Sequence, residues 1–250
     1  MSSSTDKVGS PLRALRLSRT FIEACGYRTF MQRAFNAALK RPLNRYLRGS
    51  YSQYGEDLMI DRLLGRKQSG FYVDIGANDP VNSNNSMRFY RRGWRGVNVE
   101  PDPSCFERLQ SMRPGDVNLQ IGIAAESGRR TFYALFPSTR STFSKELADQ
   151  LVEQGFGLVA EQEVEIRPLS EVLDDHCAGR DIDFISIDTE GYDEQVLRSN
   201  DWERYAPRLI CIESADEGGS HRFLLDRGYQ RVLHNAANSI YCRPAQDISA

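Results

Sequence analysis

Beyond residue 50, hydrophobic positions fall into short unbroken runs separated by stretches that are apolar on one side only. The runs "GFYVDIGA" (70–77), "WRGVNVEP" (94–101), "VNLQIGIAA" (117–125), "IDFISIDTEG" (182–191) and "RLICIES" (208–214) have the pattern of strands covered on both faces. Between them, "SQYGEDLMIDRLL" (52–64), "SNNSMRFYRRG" (83–93), "DPSCFERLQSM" (102–112), "SEVLDDHC" (170–177), "YDEQVLRS" (192–199) and "HRFLLDRG" (221–228) read as helices with a polar side. Two further β-rich pieces, "RRTFYALF" (129–136) and "QEVEIRPL" (162–169), flank a helical pattern, "STFSKELADQLVEQG" (141–155). "YQRVLHN" (229–235) and "SIYCRP" (239–244) close the chain as a pair. This alternation predicts an α/β fold: a mostly parallel central sheet with helices on both faces and a β-rich insertion.

Charge divides the 250 residues unevenly. Residues 1–50 hold ten Lys/Arg against two Asp/Glu, and the remainder holds 22 against 32, so a net charge of -2 conceals a basic arm on an acidic body. The expected division is a basic, partly helical N-terminal arm (1–48), one catalytic domain (49–245) and a flexible C-terminus (246–250). The arm mixes Leu, Phe, Ile and Met with arginines. It either packs on the body with its arginines in solvent or touches an anionic membrane face peripherally. Cys25, Cys105, Cys177, Cys211 and Cys242 show no C-x-x-C pair and no zinc-type spacing, so they read as reduced thiols. No apolar run is long enough to span a bilayer, and the expected residence is cytoplasmic, extending to the inner membrane face if the arm binds lipid.

In such a sheet, ligands sit outside the carboxyl ends of the strands, near the point where strand order reverses. Acids occupy those ends here: Asp74, Glu100, Asp188 with Glu190, and Glu213. An acid ending the second strand is placed to accept both hydroxyls of a ribose, which suits Glu100. The turn after the first strand, "GANDP", has one glycine, Gly76, where a pyrophosphate-binding turn has several. Asp79 would also repel phosphate. These features favour a nucleoside that carries positive charge and no phosphates, the chemistry of S-adenosylmethionine.

The segments "SQYGED" (52–57), "VDIGANDP" (73–80), "SNNSMRFYRRGWRGVNVEPDP" (83–103) and "IDFISIDTEGYDEQVL" (182–197) together resemble the FkbM-type methyltransferases. The resemblance spans roughly residues 50–242 and implies a Rossmann-like class I methyltransferase fold that binds S-adenosylmethionine. It implies that Asp74, Gly76 and Asn78 line the methionine part, that Glu100 binds the ribose, and that Pro101, Asp102, Ile123 and Ala124 border the adenine. Asn85, in the "SNNSM" run, either touches the cofactor or caps the following helix. Glu190 or Asp188 serves as the base for an acceptor hydroxyl, with His221 a second candidate in the glycine-containing stretch "SADEGGS". A related metal-using branch implies Mg²⁺ or another divalent cation on Asp188 and Glu213. Tyr192 is a packing residue or a substrate contact, and Arg140 can meet an acidic or phosphorylated acceptor. The implied activity is O-methylation of a sugar, glycan or secondary-metabolite acceptor, with no nucleic-acid partner. The competing readings are a nucleotide-linked oxidoreductase and a non-catalytic nucleoside-binding or scaffolding protein.

Overall fold

The computed structural model describes residues 49–177, 179–213, 219–235 and 237–244. The basic arm, most of the "SADEGGS" stretch and the C-terminal residues therefore lie outside the described residues. In chain order the elements are α1 (Glu56–Leu63), β1 (Phe71–Ile75), α2 (Met87–Arg92), β2 (Arg95–Val99), α3 (Pro103–Met112), β3 (Val117–Leu119), β4 (Gly122–Ile123) and β5 (Gly128–Phe136). There follow α4 (Lys145–Glu153), β6 (Gly157–Arg167), α5 (Leu169–Cys177), β7 (Phe184–Ile187), α6 (Asp193–Arg198), β8 (Leu209–Glu213), α7 (Gly219–Leu225), β9 (Gln230–His234) and β10 (Asn238–Cys242).

Seven strands form the central sheet in the order β3-β2-β1-β7-β8-β10-β9. All neighbours are parallel except those of β10, which runs antiparallel to β8 and β9. The apolar strands read from the sequence occupy the middle of this sheet because both of their faces must be covered. Alternation along the strands sends Tyr72, Phe184, Cys211 and Ile240 to one face, against Ile60 of α1, Leu64 just after it, and Phe89 and Trp94. The opposite face carries Val73, Val97, Ile185 and Ile210 against Leu173, Val196 and Phe223 of α5, α6 and α7. The expected Rossmann-like architecture is present, and strand order reverses between β1 and β7.

One predicted strand divides. "VNLQIGIAA" supplies β3 to the central sheet, and then its second half leaves to pair as β4 with β6 in a separate three-stranded sheet, β4-β6-β5. Close packing explains the break: a Cβ on Gly122 would lie 2.5 Å from the Phe143 ring, so only a residue without a side chain lets β4 settle against the insertion. β6 also begins earlier than the sequence reading: its apolar start, Leu158–Ala160, is exposed rather than buried yet pairs with β5. With α4, the β5–β6 pair forms the expected β-rich insertion, which has its own small core of Tyr133, Leu135, Leu151 and Phe156.

Candidate active site

The carboxyl ends of β1, β2, β7 and β8 lie on one edge of the sheet, since Ile75 pairs with Val99 and Ile187, and Ile187 pairs with Ile212. Gly76 makes the first turn there with φ +78°. Its N–H donates to the Val99 carbonyl at 2.9 Å. A Cβ at this position would stand 1.8 Å from the Asp188 carbonyl oxygen. The β1 turn thus lies directly against the end of β7, where strand order reverses.

Asp74 is buried, and its Oδ2 accepts from Asn84 Nδ2 at 3.2 Å and from the Ser86 hydroxyl. Asn84 Oδ1 also accepts from the backbone N–H groups of Ser86 (3.0 Å) and Met87 (2.7 Å). Asn84, not Asn85, therefore secures the start of α2. The Asn85 amide points elsewhere, to Ser186 Oγ at 3.1 Å. Behind this cluster, Arg113 has no exposure at all. It donates to Tyr72 Oη (2.7 Å), Ser86 Oγ (2.8 Å), Asn84 Oδ1 (3.2 Å) and Asp116 Oδ2 (3.0 Å), and it stands 4.0 Å from Asp74 Oδ2. Desolvation raises the Asp74 carboxyl above its ordinary range, and Arg113 is the main opposing influence. Asp74 Oδ1 has no hydrogen-bond partner among the described residues, so one oxygen of a fixed carboxylate is left for a ligand.

Glu100 bridges two loops. Its Oε2 accepts from the Asn78 N–H at 2.7 Å and its Oε1 from the Asp102 N–H at 2.8 Å. Burial lifts its pKa to about 7 against the lowering effect of these two donors. Each oxygen retains a further lone pair, which is what a vicinal diol requires. Asp102 caps α3 by accepting from Ser104 N (2.8 Å) and Cys105 N (3.3 Å). The Pro101 carbonyl lies near the insertion, 3.5 Å from Gln162 Nε2. Ile123 and Ala124 are buried, and Ile123 belongs to the core beneath the sheet. Asn78 has φ +44°, a conformation seldom adopted by non-glycine residues and found disproportionately at binding sites.

The second cluster follows β7. The Asp188 N–H donates to the Ile75 carbonyl at 3.0 Å, while its side chain reaches solvent and has no hydrogen-bond partner among the described residues. It lies among the other strand-end acids, and its pKa is raised well above the ordinary value by desolvation first, then by Glu213, Glu190 and Asp193. Thr189, Glu190 and Gly191 form a tight turn with φ +48° at Glu190 and +96° at Gly191. Asp193 Oδ1 holds this turn by accepting from Thr189 N (2.9 Å) and Thr189 Oγ1 (2.5 Å). Desolvation raises the Glu190 pKa to about 7, with Glu213 adding to the rise and Arg140 opposing it. Arg140 Nη1 lies 4.0 Å from Glu190 Oε2. Desolvation and Asp193 raise Glu213 as well.

Arg140 belongs to a short 3-10 turn, Ser138–Arg140, in the insertion. Ser138 Oγ donates to Asn78 Oδ1 at 3.1 Å, and the Phe143 ring meets Tyr192 edge-on with centroids 6.0 Å apart. This one stretch of the insertion thus touches the first turn through Ser138 and the acidic turn through Arg140. His221 Nδ1 lies 2.8 Å from the Tyr241 hydroxyl. Among the described residues, no three His, Cys, Asp or Glu side chains converge to hold a metal ion. Asp188 and Glu213 therefore find no third ligand among the described residues for the cation that the metal-using resemblance implied.

Beside the acids opens a cleft of about 570 Å³ lined by Gly191, Asp193, Gln195, Arg198, Glu213 and Ser220. Ser220 is 3% exposed, yet its hydroxyl has no hydrogen-bond partner among the described residues. Buried hydroxyls are rarely left unpaired, so Ser220 Oγ marks a place for a ligand. The sequence reading missed Ser220, as it missed Asn84, Ser86 and Arg113. The "SNNSM" run held a signal for the middle pair, whereas nothing local distinguishes Arg113 from an exposed helix-end arginine.

A family model described as "Methyltransferase FkbM domain" matches residues 74–231, more than half of the chain. No curated protein matches the sequence. Among solved structures, a TehB-like SAM-dependent methyltransferase from Corynebacterium glutamicum is similar at 12% identity, with 83% of this chain and 96% of that chain covered and a TM-score of 0.40. An RNA methyltransferase from Salinibacter ruber, in complex with S-adenosyl-L-homocysteine, shares 13% identity over 80% and 97% with a TM-score of 0.41. A methyltransferase from Geobacter sulfurreducens shares 16% over 83% and 88%, with a TM-score of 0.40. Superpositions this loose place neither a substrate nor a site residue.

Proposed function

The chain belongs to the methyltransferase FkbM domain family and is an S-adenosylmethionine-dependent methyltransferase; from that premise we propose that it methylates a hydroxyl of a sugar, glycan or secondary-metabolite acceptor. The observation that carries the hydroxyl assignment is Glu190, a carboxylate on a left-handed turn beside an open cleft with its pKa raised to about 7. A base poised near neutral pH can accept a hydroxyl proton, whereas an ordinary carboxylate is a weaker acceptor.

The residues present fit the cofactor. Asp74 Oδ1 and the Asp188 carboxyl have no partner among the described residues, so a cation bound beside them would favour the ionised forms that desolvation opposes, and Glu100 retains lone pairs for a ribose. When bound, S-adenosylmethionine supplies an electrophilic methyl group on a sulfonium. Gly76 lets the β1 turn close against the end of β7, and Glu100 keeps the adjoining loops together by holding the Asn78 and Asp102 N–H groups. Glu190 takes the acceptor's proton at a carboxylate oxygen, Arg140 limits the rise in its pKa, and Ser220 Oγ is available to a second acceptor hydroxyl.

Incubation with methyl-labelled S-adenosylmethionine and fractionated cell glycans and metabolites, read by mass spectrometry, should place the label on oxygen. Label on nitrogen alone would overturn the hydroxyl assignment. Absence of any transfer, with S-adenosylhomocysteine still bound, would favour a non-catalytic nucleoside-binding protein.

The role of Arg140 gives a pH signature. Arg140 lowers the Glu190 pKa against desolvation, Glu213 and Asp193, so removing the cation raises it further. In Arg140→Gln the base stays protonated to a higher pH, and the acidic limb of the pH–rate profile should move upward, whereas Arg140→Lys should hold it near the wild-type position. An unmoved limb in Arg140→Gln would mean that Glu190 is not the titrating base.

No helix among the described residues is long and apolar enough to cross a membrane. The same proposal places the enzyme in the cytoplasm, where peripheral contact with an anionic membrane face rests on the charge of residues 1–48.

A further inference from the structure

The geometry points to a phosphate-binding subsite beside the acceptor cleft, formed by Arg198, Arg222 and Arg227, and thus to an acceptor that carries a phosphate group near the methylated hydroxyl. A second cleft, of about 240 Å³, is lined by Arg198, Gly219, Arg222, Phe223, Asp226 and Arg227. Arg198 and the start of α7 belong to both clefts: Ser220 faces the larger one and its neighbour Gly219 the smaller. A ligand in the first is therefore continuous with the second. Three arginines meet here on a body whose residues beyond 50 carry 22 basic against 32 acidic side chains. One acid, Asp226, shares the lining.

Two of the three guanidiniums are oriented in advance by one ring. Arg227 lies 3.5 Å from the centroid of Phe223 and donates to the Phe223 carbonyl at 3.2 Å, and Arg198 lies 5.2 Å from the same ring. Arg198 also pairs with Glu194 at 2.6 Å. The Arg222 side chain has no hydrogen-bond or ion-pair partner among the described residues, so its five donors are free for a ligand. Arginine forks match the oxygens of phosphate, and a site with several of them suits a group with more oxygens than a carboxylate offers. The unpaired Ser220 hydroxyl lies on the wall between this group and the acids, where an acceptor reaching from phosphate to base would supply its missing partner.

This inference rests on reading the acid-lined cleft as the acceptor site, so its test is made on binding. The full chain saturated with S-adenosylhomocysteine is titrated calorimetrically, at low ionic strength, with glucose 1-phosphate, UDP-glucose and glucose. At least one phosphorylated probe is expected to bind about tenfold or more tightly than glucose. Whichever is tighter tells a phosphate monoester from a pyrophosphate diester as the recognised group. Arg222→Gln, which breaks no side-chain hydrogen bond or ion pair among the described residues, and Arg227→Gln should each remove most of that advantage. Lys145→Gln, an exposed cation elsewhere on the surface, should leave it unchanged. Equal binding of all three probes, or phosphate binding indifferent to Arg222→Gln and Arg227→Gln, overturns the subsite. Failure of the wild-type chain to bind S-adenosylhomocysteine would instead count against the proposed function, while the arginine comparison still decides the subsite.

Discussion

Gly76→Ala is expected to abolish S-adenosylhomocysteine binding and to lower the thermal unfolding midpoint markedly. Two costs combine at this position. An alanine at φ +78° pays about 1–2 kcal/mol for a left-handed backbone. Its methyl would also stand 1.8 Å from the Asp188 carbonyl oxygen, a collision with backbone that no rotamer change relieves. The turn cannot retreat cheaply, because Gly76 and Ala77 both donate to the Val99 carbonyl and the Asp188 N–H donates to the Ile75 carbonyl at 3.0 Å. Forcing extra volume into such a packed place typically costs a further ~1–3 kcal/mol. For a chain of this length each kcal/mol lowers the midpoint by about 2–4 °C. Differential scanning calorimetry and calorimetric titration of S-adenosylhomocysteine check both effects. Wild-type melting and binding together would mean that the β1 turn and the end of β7 are not in the close contact described.

The site's strand-end acids were legible in the sequence because each ends a continuous apolar run, and a parallel sheet brings such ends to one edge. Asp74, Glu100, Asp188 and Glu213 could therefore be assigned together without knowing the pairing. What fixes them could not be read. The groups around Arg113 come from β1, the α2 start and the loop after α3, and nothing local says that an arginine after "ERLQSM" turns inward. The third apolar run misled for a related reason: it is one hydrophobic segment, but Gly122 packs on Phe143 of the insertion and moves its second half into another sheet. Ser220 carries no pattern at all, since its significance is the absence of a partner, which only the folded chain reveals. Arg140 stood out only as a loop arginine, and the partner that gives it meaning, Glu190, lies fifty residues away.

Arg113→Met should destabilise the protein by about 3–5 kcal/mol, the usual consequence of removing one partner from a buried charge network. Methionine fills much of the space, so loss of packing is the smaller part. The larger part is electrostatic: Tyr72 Oη, Ser86 Oγ, Asn84 Oδ1 and Asp116 Oδ2 all lose a charged donor, and Asp74 loses the cation that opposes its desolvation. Arg113→Lys should recover only part of the loss, because one ammonium cannot reproduce a planar fork that reaches several acceptors. The pH dependence separates this account from simple misfit. Asp74 already has a raised pKa in the folded state, and without Arg113 it rises further, so the folded protein binds protons that the unfolded chain has released. Stability then falls as pH climbs from the unfolded carboxylate range toward the folded value. The deficit of Arg113→Met relative to wild type should therefore be larger at pH 8 than at pH 5, measured by urea unfolding. An equal deficit at both values would show that Arg113 acts by filling space, and that Asp74 does not depend on its charge to face the cofactor as a carboxylate.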